Sequence, residues 1–392
     1  MASDTVASVF AAVPDPQLFE SDVSLIAQVM LVGFEAGYTA ATGTPLTLGA
    51  ADPRRYELLY QADLISQSYA AGNWVAKQNM LKYSVSANLD VLGSFWGDMG
   101  KRLAAAGAVC SITFSIDAPA GVNITVPAGT SVATTDPNNL LVFKTLADAV
   151  IIAESLFVIT VAECTTLGII ANDLPLGSIN VLQDWNQPYV VSASNSTVPS
   201  GGADAETDDR YRIRLYKLPK GLSTCGPKES YEFYALSANP SISRVAVQSN
   251  PGISGTVVLT PLMAGGGTPT DFELNQVLAA CNGDNNRPLA DRVIAASPSG
   301  HPYSVTVSAN LPSSLSAQEG TILDNAFTVV NTFILNEKAS LGGYIDPSSL
   351  TNSLSDLGFI NVQVTAPVFE ILADNEQPVL VDDPVFNYGG MI

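Results

Sequence analysis

In the first hundred positions, apolar residues recur at helical spacing for longer than one globular helix can use. Phe19, Val23, Ile26, Met30 and Phe34 follow at steps of four, three, four and four, which puts them on one stripe of a helix. Ser21 or Asp22 is placed to cap its start, and Gly43-Thr44-Pro45 marks its stop. A second helix opens at Asp52-Pro53, a capping residue followed by proline at the first helical position. Its face runs through Leu58, Ala62, Ile65, Tyr69, Gly72 and Ala76, and the period continues through Leu81, Val85, Leu89 and Leu92. That pattern lasts about forty residues, against the three or four turns of an ordinary helix. Such a stripe cannot be buried by one helix, so the sequence predicts another long helix against it, in this chain or in a neighbouring one.

Near Val109 the period changes from helical to alternating. Cys110, Ile112, Phe114 and Ile116 interleave with Val109, Ser111, Thr113 and Ser115, the two-residue repeat of a strand. The stretches at 122–130, 140–146, 150–163 and 178–182 continue it, separated by Pro, Gly, Asn and Asp turns. From Glu206 helices and strands mix. Helices are expected at Thr207–Leu218, Lys228–Ala238, Asp271–Cys281, Ala317–Asn336 and Pro347–Leu357, and strands at Arg244–Gln248, Thr256–Pro261, Asp291–Ala296, Tyr303–Ala309 and Phe359–Thr365. The chain therefore reads as a multidomain α+β protein. Long N-terminal helices occupy 1–107, a mostly antiparallel β domain 108–205, a first α+β domain 206–298, and a second α+β domain with a C-terminal tail 299–392.

Charge narrows the partners. The 392 residues hold 37 acids against 17 bases, a formal net charge of −20. No Lys or Arg precedes Arg54, one (Lys144) lies between Leu103 and Asp209, and none follows Lys338. Direct grip on nucleic acid, which needs clustered bases, is not expected. The start carries no basic segment of a secretory signal, and the apolar runs at 23–37 and 150–171 are interrupted by Gln28 and Glu35, and by Glu154 and Glu163. No membrane insertion is expected, and synthesis in the cytoplasm is. Cys110, Cys164, Cys225 and Cys281 are widely spaced and read as small core residues of a reducing compartment.

The most charge-dense segment is Gly201-Gly-Ala-Asp-Ala-Glu-Thr-Asp-Asp-Arg-Tyr-Arg-Ile-Arg-Leu215. Asp204, Glu206 and Asp208 alternate like calcium-loop ligands, but Asp209 stands where the turn glycine belongs and Leu215 where a bidentate glutamate should be. The stronger reading is a capped helix: acids in the first turn, Arg212, Arg214 and Lys217 later, and pairs Glu206–Arg210 and Asp208–Arg212 at i,i+4. Gly265-Gly-Gly-Thr-Pro-Thr270 lacks the lysine of a phosphate loop and reads as a plain loop. His301, the single histidine, has no acid or nucleophile beside it in sequence, and no hydrolase or zinc-protease motif occurs. No enzyme, cofactor or metal is expected.

The order of these segments resembles the baseplate J-like family, the wedge proteins of contractile phage tails and related injection machines. The residues that carry it are Ala87-Asn-Leu-Asp-Val-Leu-Gly93 with Lys101-Arg102, Val126-Pro-Ala-Gly-Thr130, Phe143-Lys-Thr145 and Gly168-Ile-Ile-Ala-Asn172 with Gly177. They continue with the 201–215 segment, Lys228-Glu-Ser-Tyr231 with Ala235, Gly255-Thr-Val257 and Arg287-Pro-Leu-Ala-Asp-Arg-Val293. The resemblance implies a structural part of the virion, made and assembled in the host cytoplasm. It implies a wedge of two copies of this chain and one smaller partner joined in a three-chain helical bundle, with neighbouring wedges, a sheath-initiating wedge protein and the tail hub as further partners. It makes Gly201, Gly202, Asp204, Glu206, Asp208, Asp209, Arg212 and Arg214 a structural family motif. Phe19, Val23, Ile26, Met30, Leu58, Ile65 and Tyr69 are the expected contacts to partner helices. The competing readings are a carbohydrate-binding tail fibre or adhesin, from the β region and its Asn/Ser/Thr-rich loops, and a hydrolase built on His301.

Overall fold

The computed structural model describes residues 6–136, 140–183, 185, 189, 192–223, 226–250, 252–283, 286–288 and 290–392, so Cys225 and Leu289 lie outside the described residues. Two compact units divide at Lys101 and Arg102.

The N-terminal unit is helical. After a single turn α1 (Val6–Val9) come α2 (Val23–Thr42), α3 (Pro53–Lys77) and α4 (Ser86–Ser94). Asp22 caps α2 by accepting from the Ser24 and Leu25 amides, and Gly43 ends it at φ +71°. Asp52 caps α3 in front of Pro53. The expected forty-residue helix is interrupted after Lys77. The buried Gln78 side chain donates to Tyr83 O and accepts from the Val85 amide and from Asn88 Nδ2, so the intervening turn has its polar groups satisfied. Apolar spacing carries no trace of that amide.

Helices α2 and α3 pair through Ile26, Ala27 and Met30 on one side and Leu59, Ala62 and Ile65 on the other. The N-terminal lead is clasped to α3: Asn73 accepts from the Leu18 and Phe19 amides and donates to Phe19 O, while Phe19 stacks on Tyr69 with ring centroids 5.3 Å apart. Gln28 and Glu35, expected to rule out a membrane span, both lie within α2. By length and composition alone, Val23–Thr42 is sufficient to cross one. Its Glu35 accepts from the Leu48 amide at 2.7 Å.

The second unit begins with a barrel-like sheet. Strands β1 (Gly107–Ser115), β2 (Ile124–Val126), β3 (Ser131–Thr134), β4 (Val142–Thr145), β5 (Ala149–Ile151), β6 (Phe157–Leu167), β7 (Ile179–Gln183) and β8 (Ser192–Asn195) are short and antiparallel. Six of them run in the order β7-β3-β4-β6-β1-β8, and β2 pairs with β5. The sheet nearly closes where the Ile179 amide donates to Asn195 Oδ1 at 3.0 Å. Alternation sends Cys110, Ile112, Phe114, Val132, Phe143, Ala162 and Ile179 inward to one core.

Next come α5 (Asp208–Gly221), α6 (Lys228–Ala238), β9 (Ile242–Ser249), β10 (Thr256–Met263), α7 (Asp271–Cys281) and β11 (Arg292–Ala295). The sheet β11-β10-β9 is parallel on one side and antiparallel on the other, and packs Leu259 and Val293 against Tyr231, Leu236, Val277 and Cys281. Cys110, Cys164 and Cys281 are buried free thiols, and burial pushes Cys110 and Cys281 up to about 12, far from reactive thiolates.

The last part holds β12 (Ser299–Tyr303), β13 (Thr306–Leu311), α8 (Glu319–Lys338), β14 (Gly343–Ile345), α9 (Pro347–Asp356), β15 (Ile360–Ala366), β16 (Glu370–Leu372), β17 (Glu376–Leu380) and β18 (Val385–Met391). Sheet β15-β13-β18 shares its core with α8 and α9, through Val307, Ala309, Ile322, Ala326, Val330, Leu350 and Leu354. The segment expected as a tail forms three strands. Two of them pair parallel with earlier ones, β17 with β12 and β18 with β13.

Glu337, near the end of α8, is pushed up to about 7 by burial and by the nearby Asp346 carboxylate. The folded chain therefore holds this proton to higher pH than the unfolded chain, whose carboxyl sits near 4.5. The site's stability is complete below the unfolded value and is lost as pH rises through about 7. With a half-buried side chain and the screening that implies, the loss between pH 5 and 8 is on the order of 1 kcal/mol. Thermal melts across that range should show it in the wild type and be flatter by that amount in Glu337→Gln. An unchanged slope would show that water reaches the carboxyl freely.

Candidate functional site

The site is a buried ionic junction where the barrel hands over to α5. The incoming segment at 102–109 runs antiparallel to the outgoing segment at 200–206, with bridges Ala106–Ala203 and Val109–Ser200. That pairing carries Glu206 into the interior, where its side chain has no exposed surface. Arg210 Nη1 reaches Glu206 Oε1 at 2.7 Å, one turn along α5. Arg214 brings Nη2 to Oε2 at 2.7 Å and Nε to Oε1 at 2.9 Å, a two-pronged hold. The Leu103 amide donates to Oε2 at 3.1 Å. These carboxylate oxygens are committed to arginines, which favours the salt-bridge reading of the segment over the calcium reading.

The arginines do more than neutralise Glu206. Arg210 donates through Nε to Ile242 O and through Nη2 to Leu236 O and Asn239 O, so it ties α5 to the end of α6 and the start of β9. Burial lowers Arg210 to about 10; Glu206 opposes the shift, and the neighbouring Arg214 charge adds to it. Arg102 donates to Glu206 O at 2.9 Å and meets Asp208 at 2.8 Å. Tyr211 is buried between two guanidiniums, with Arg102 4.6 Å and Arg214 5.3 Å from its ring centroid. Arg212 meets Asp209 at 2.7 Å. Thr207 caps α5 by accepting from the Arg210 amide.

Behind this cluster a side chain imitates a strand. Asn172 donates Nδ2–H to Gly202 O at 2.8 Å and accepts from the Gly202 amide at 2.9 Å. A Cβ on Gly202 would lie 2.6 Å from Gly168 O and 2.7 Å from Asn172 Oδ1, closer than real contacts allow. Gly201 has φ +81°, and a side chain there would run into the Phe272 ring. Gly202→Ala should therefore cost about 1–3 kcal/mol through forced backbone displacement, read as a lower melting temperature. A wild-type melt would show that the crossing of 168–172 over 201–202 has slack.

The expected partner-helix residues are split. Ile26, Met30 and Ile65 pack in the seam between α2 and α3 of the same chain, Ile26 buried and the other two partly so. Leu58 is half-buried, Phe19 lies on Tyr69, and Val23 is exposed at the start of α2. Beside the exposed stripe residues Phe19, Val23, Phe34 and Tyr69, further exposed apolar side chains lie off the stripe. On α2, Leu25, Val29 and Val32 are 48%, 72% and 58% exposed; on α3, Tyr56, Tyr60 and Leu64 follow at steps of four with 62%, 65% and 45% exposed. A second helical period offset from the first was the available signal. Arg102 and Asn172 were also missed as members of the junction; both sit far in sequence from Glu206.

His301 does find acids. Its Nε2 lies 2.7 Å from Glu370 Oε2 and its Nδ1 3.8 Å from Glu376 Oε2, which ties β12 to β16 and the start of β17. Among the described residues no group of three or more His, Cys, Asp or Glu side chains is arranged to hold a metal ion.

Comparison with known proteins gives two domain matches. Residues 111–202 match the Baseplate J-like protein barrel domain, and residues 223–297 match the Baseplate J-like central domain. The chain is 26% identical over 188 residues to baseplate protein J of Escherichia phage P2, an alignment of 48% of this chain and 61% of that protein. The match thus spans less than two thirds of the relative's length. A chain of the 6-fold symmetrised cryo-EM structure of the anti-feeding prophage (AFP) baseplate aligns over 94% of this chain and 99% of its own length, at 11% identity and TM-score 0.40.

Proposed function

We propose, from the premise that this chain belongs to the baseplate J-like family, that it is a structural component of a contractile-tail baseplate. Its finer role in this reading is that of a wedge protein, forming the ring around the tail-tube hub and passing on the rearrangement that triggers sheath contraction. The observation that carries the reading is the pair of Baseplate J-like domains in series, joined by the Glu206 junction. The helical unit supplies the means of assembly. Two copies of this chain and one smaller wedge partner bundle through the exposed stripes of α2 and α3, while the Ile26–Ala62 seam holds each copy's own pair together. Neighbouring wedges, the sheath-initiating wedge protein and the hub complete the partners, and the virion tail is the location, after assembly in the host cytoplasm. No chemistry is assigned to the chain. A ring that changes diameter needs interfaces with two arrangements of similar free energy, which a bundle of helices from separate chains provides.

Mass spectrometry of isolated baseplates tests this. The reading expects this chain at twice the molar amount of one smaller partner. Equal amounts would contradict the wedge composition, and absence of the chain from the particle would contradict the reading as a whole.

A further inference from the structure

The barrel carries an apolar outer face that its own fold does not use. Phe157, Ile159 and Val161 project outward from β6 and are 58%, 54% and 45% exposed, while Thr160, Ala162 and Cys164 between and beyond them face the interior. Leu146 extends the face, since its amide donates to Val161 O at 2.9 Å just beyond the β4–β6 ladder, and Val150 adds to it from β5. Exposed acids flank these strands: Asp117 after β1, Asp148 before β5 and Glu154 in the turn before β6. Lys144 is the single base between residues 104 and 207, against nine acids. Apolar centre and charged rim are the anatomy of a protein–protein interface, and the sign of the rim selects the partner.

We infer that this face of the barrel docks a different polypeptide, one presenting an apolar patch ringed by lysine or arginine. A second copy of this chain does not fit, because a self-pairing contact would set the acidic rim against itself. Nucleic acid does not fit a surface with an aliphatic and aromatic centre and an anionic border. The inference stands on the barrel alone, whatever particle the chain belongs to.

The test uses the full chain and two photoreactive amphipathic helical peptides, one of leucine and lysine, the other of leucine and glutamate. The lysine peptide should label the 146–161 segment, at least tenfold more than the glutamate peptide. That labelling should fall at least tenfold in Phe157→Ser/Ile159→Ser, and raised salt should weaken it. Asp148→Lys/Glu154→Lys replaces two exposed acids, with the Ala128 amide losing its bond to Asp148, and should reverse the preference, so that the glutamate peptide labels the segment better. Labelling confined to other segments, equal labelling by both peptides, or a preference that survives the charge reversal would each overturn the inference.

Discussion

Glu206→Ala should destabilise the second unit by about 3–5 kcal/mol, the cost of leaving a buried charge without its partner. The loss falls mainly on Arg214, whose side chain is 2% exposed and which meets Glu206 through both Nε and Nη2. Arg210 retains three carbonyl acceptors, so it is less exposed to the change, although losing Glu206 removes the group that opposes the lowering of its pKa. The Leu103 amide loses an acceptor as well. Replacing the cluster together, Glu206→Leu with Arg210→Met and Arg214→Met, should recover part of the stability, because desolvation of the ions disappears with their attraction. Thermal and urea unfolding of the full chain measure both. A single-variant loss under about 1 kcal/mol is the range of solvated surface pairs and would show that water reaches the junction.

Val29→Asp with Val32→Asp should abolish assembly while leaving the chain folded. Both side chains are more than half exposed, so their replacement touches little of the fold, and such surface changes normally cost under about 0.5 kcal/mol. In a helical bundle the same two carboxylates would be desolvated without partners, at several kcal/mol. An association weakened at least a thousandfold follows. Ile26→Asp is the contrasting change: it strikes the seam with Ala62 and should unfold the helical pair itself. Co-purification of the double variant with co-expressed tail components at wild-type yield would show that this stripe is not the one that assembles.

Much of the fold was legible because local chemistry and long-range packing agree. Asp22, Gly43 and Asp52-Pro53 bound their helices as their cap chemistry dictates, and strict alternation from Val109 to Ile116 gave β1 its inward face. What escaped notice depends on side chains that act at a distance. Gln78 builds a turn within a helical period, Asn172 stands in for a strand beside Gly202, and Arg102 reaches the Glu206 carbonyl and the Asp208 carboxylate more than a hundred residues away. The C-terminal strands were hidden for another reason. Pro378 lies within β17 and Gly389-Gly390 within β18, residues that read as breaks unless the parallel partners β12 and β13 are known. The helical face was half legible: the stripe was found, but which apolar residues are buried and which stay exposed depends on how α2 and α3 meet in their seam.

Hydroxyl-radical footprinting of the exposed α2 and α3 stripes is the most direct check on assembly through the helical unit. Leu25, Val29, Val32, Tyr56 and Tyr60 should be oxidised readily in the free chain and protected at least tenfold inside isolated particles. Equal oxidation in both states would mean that these faces meet water in the finished baseplate and that the chain is held there by something else.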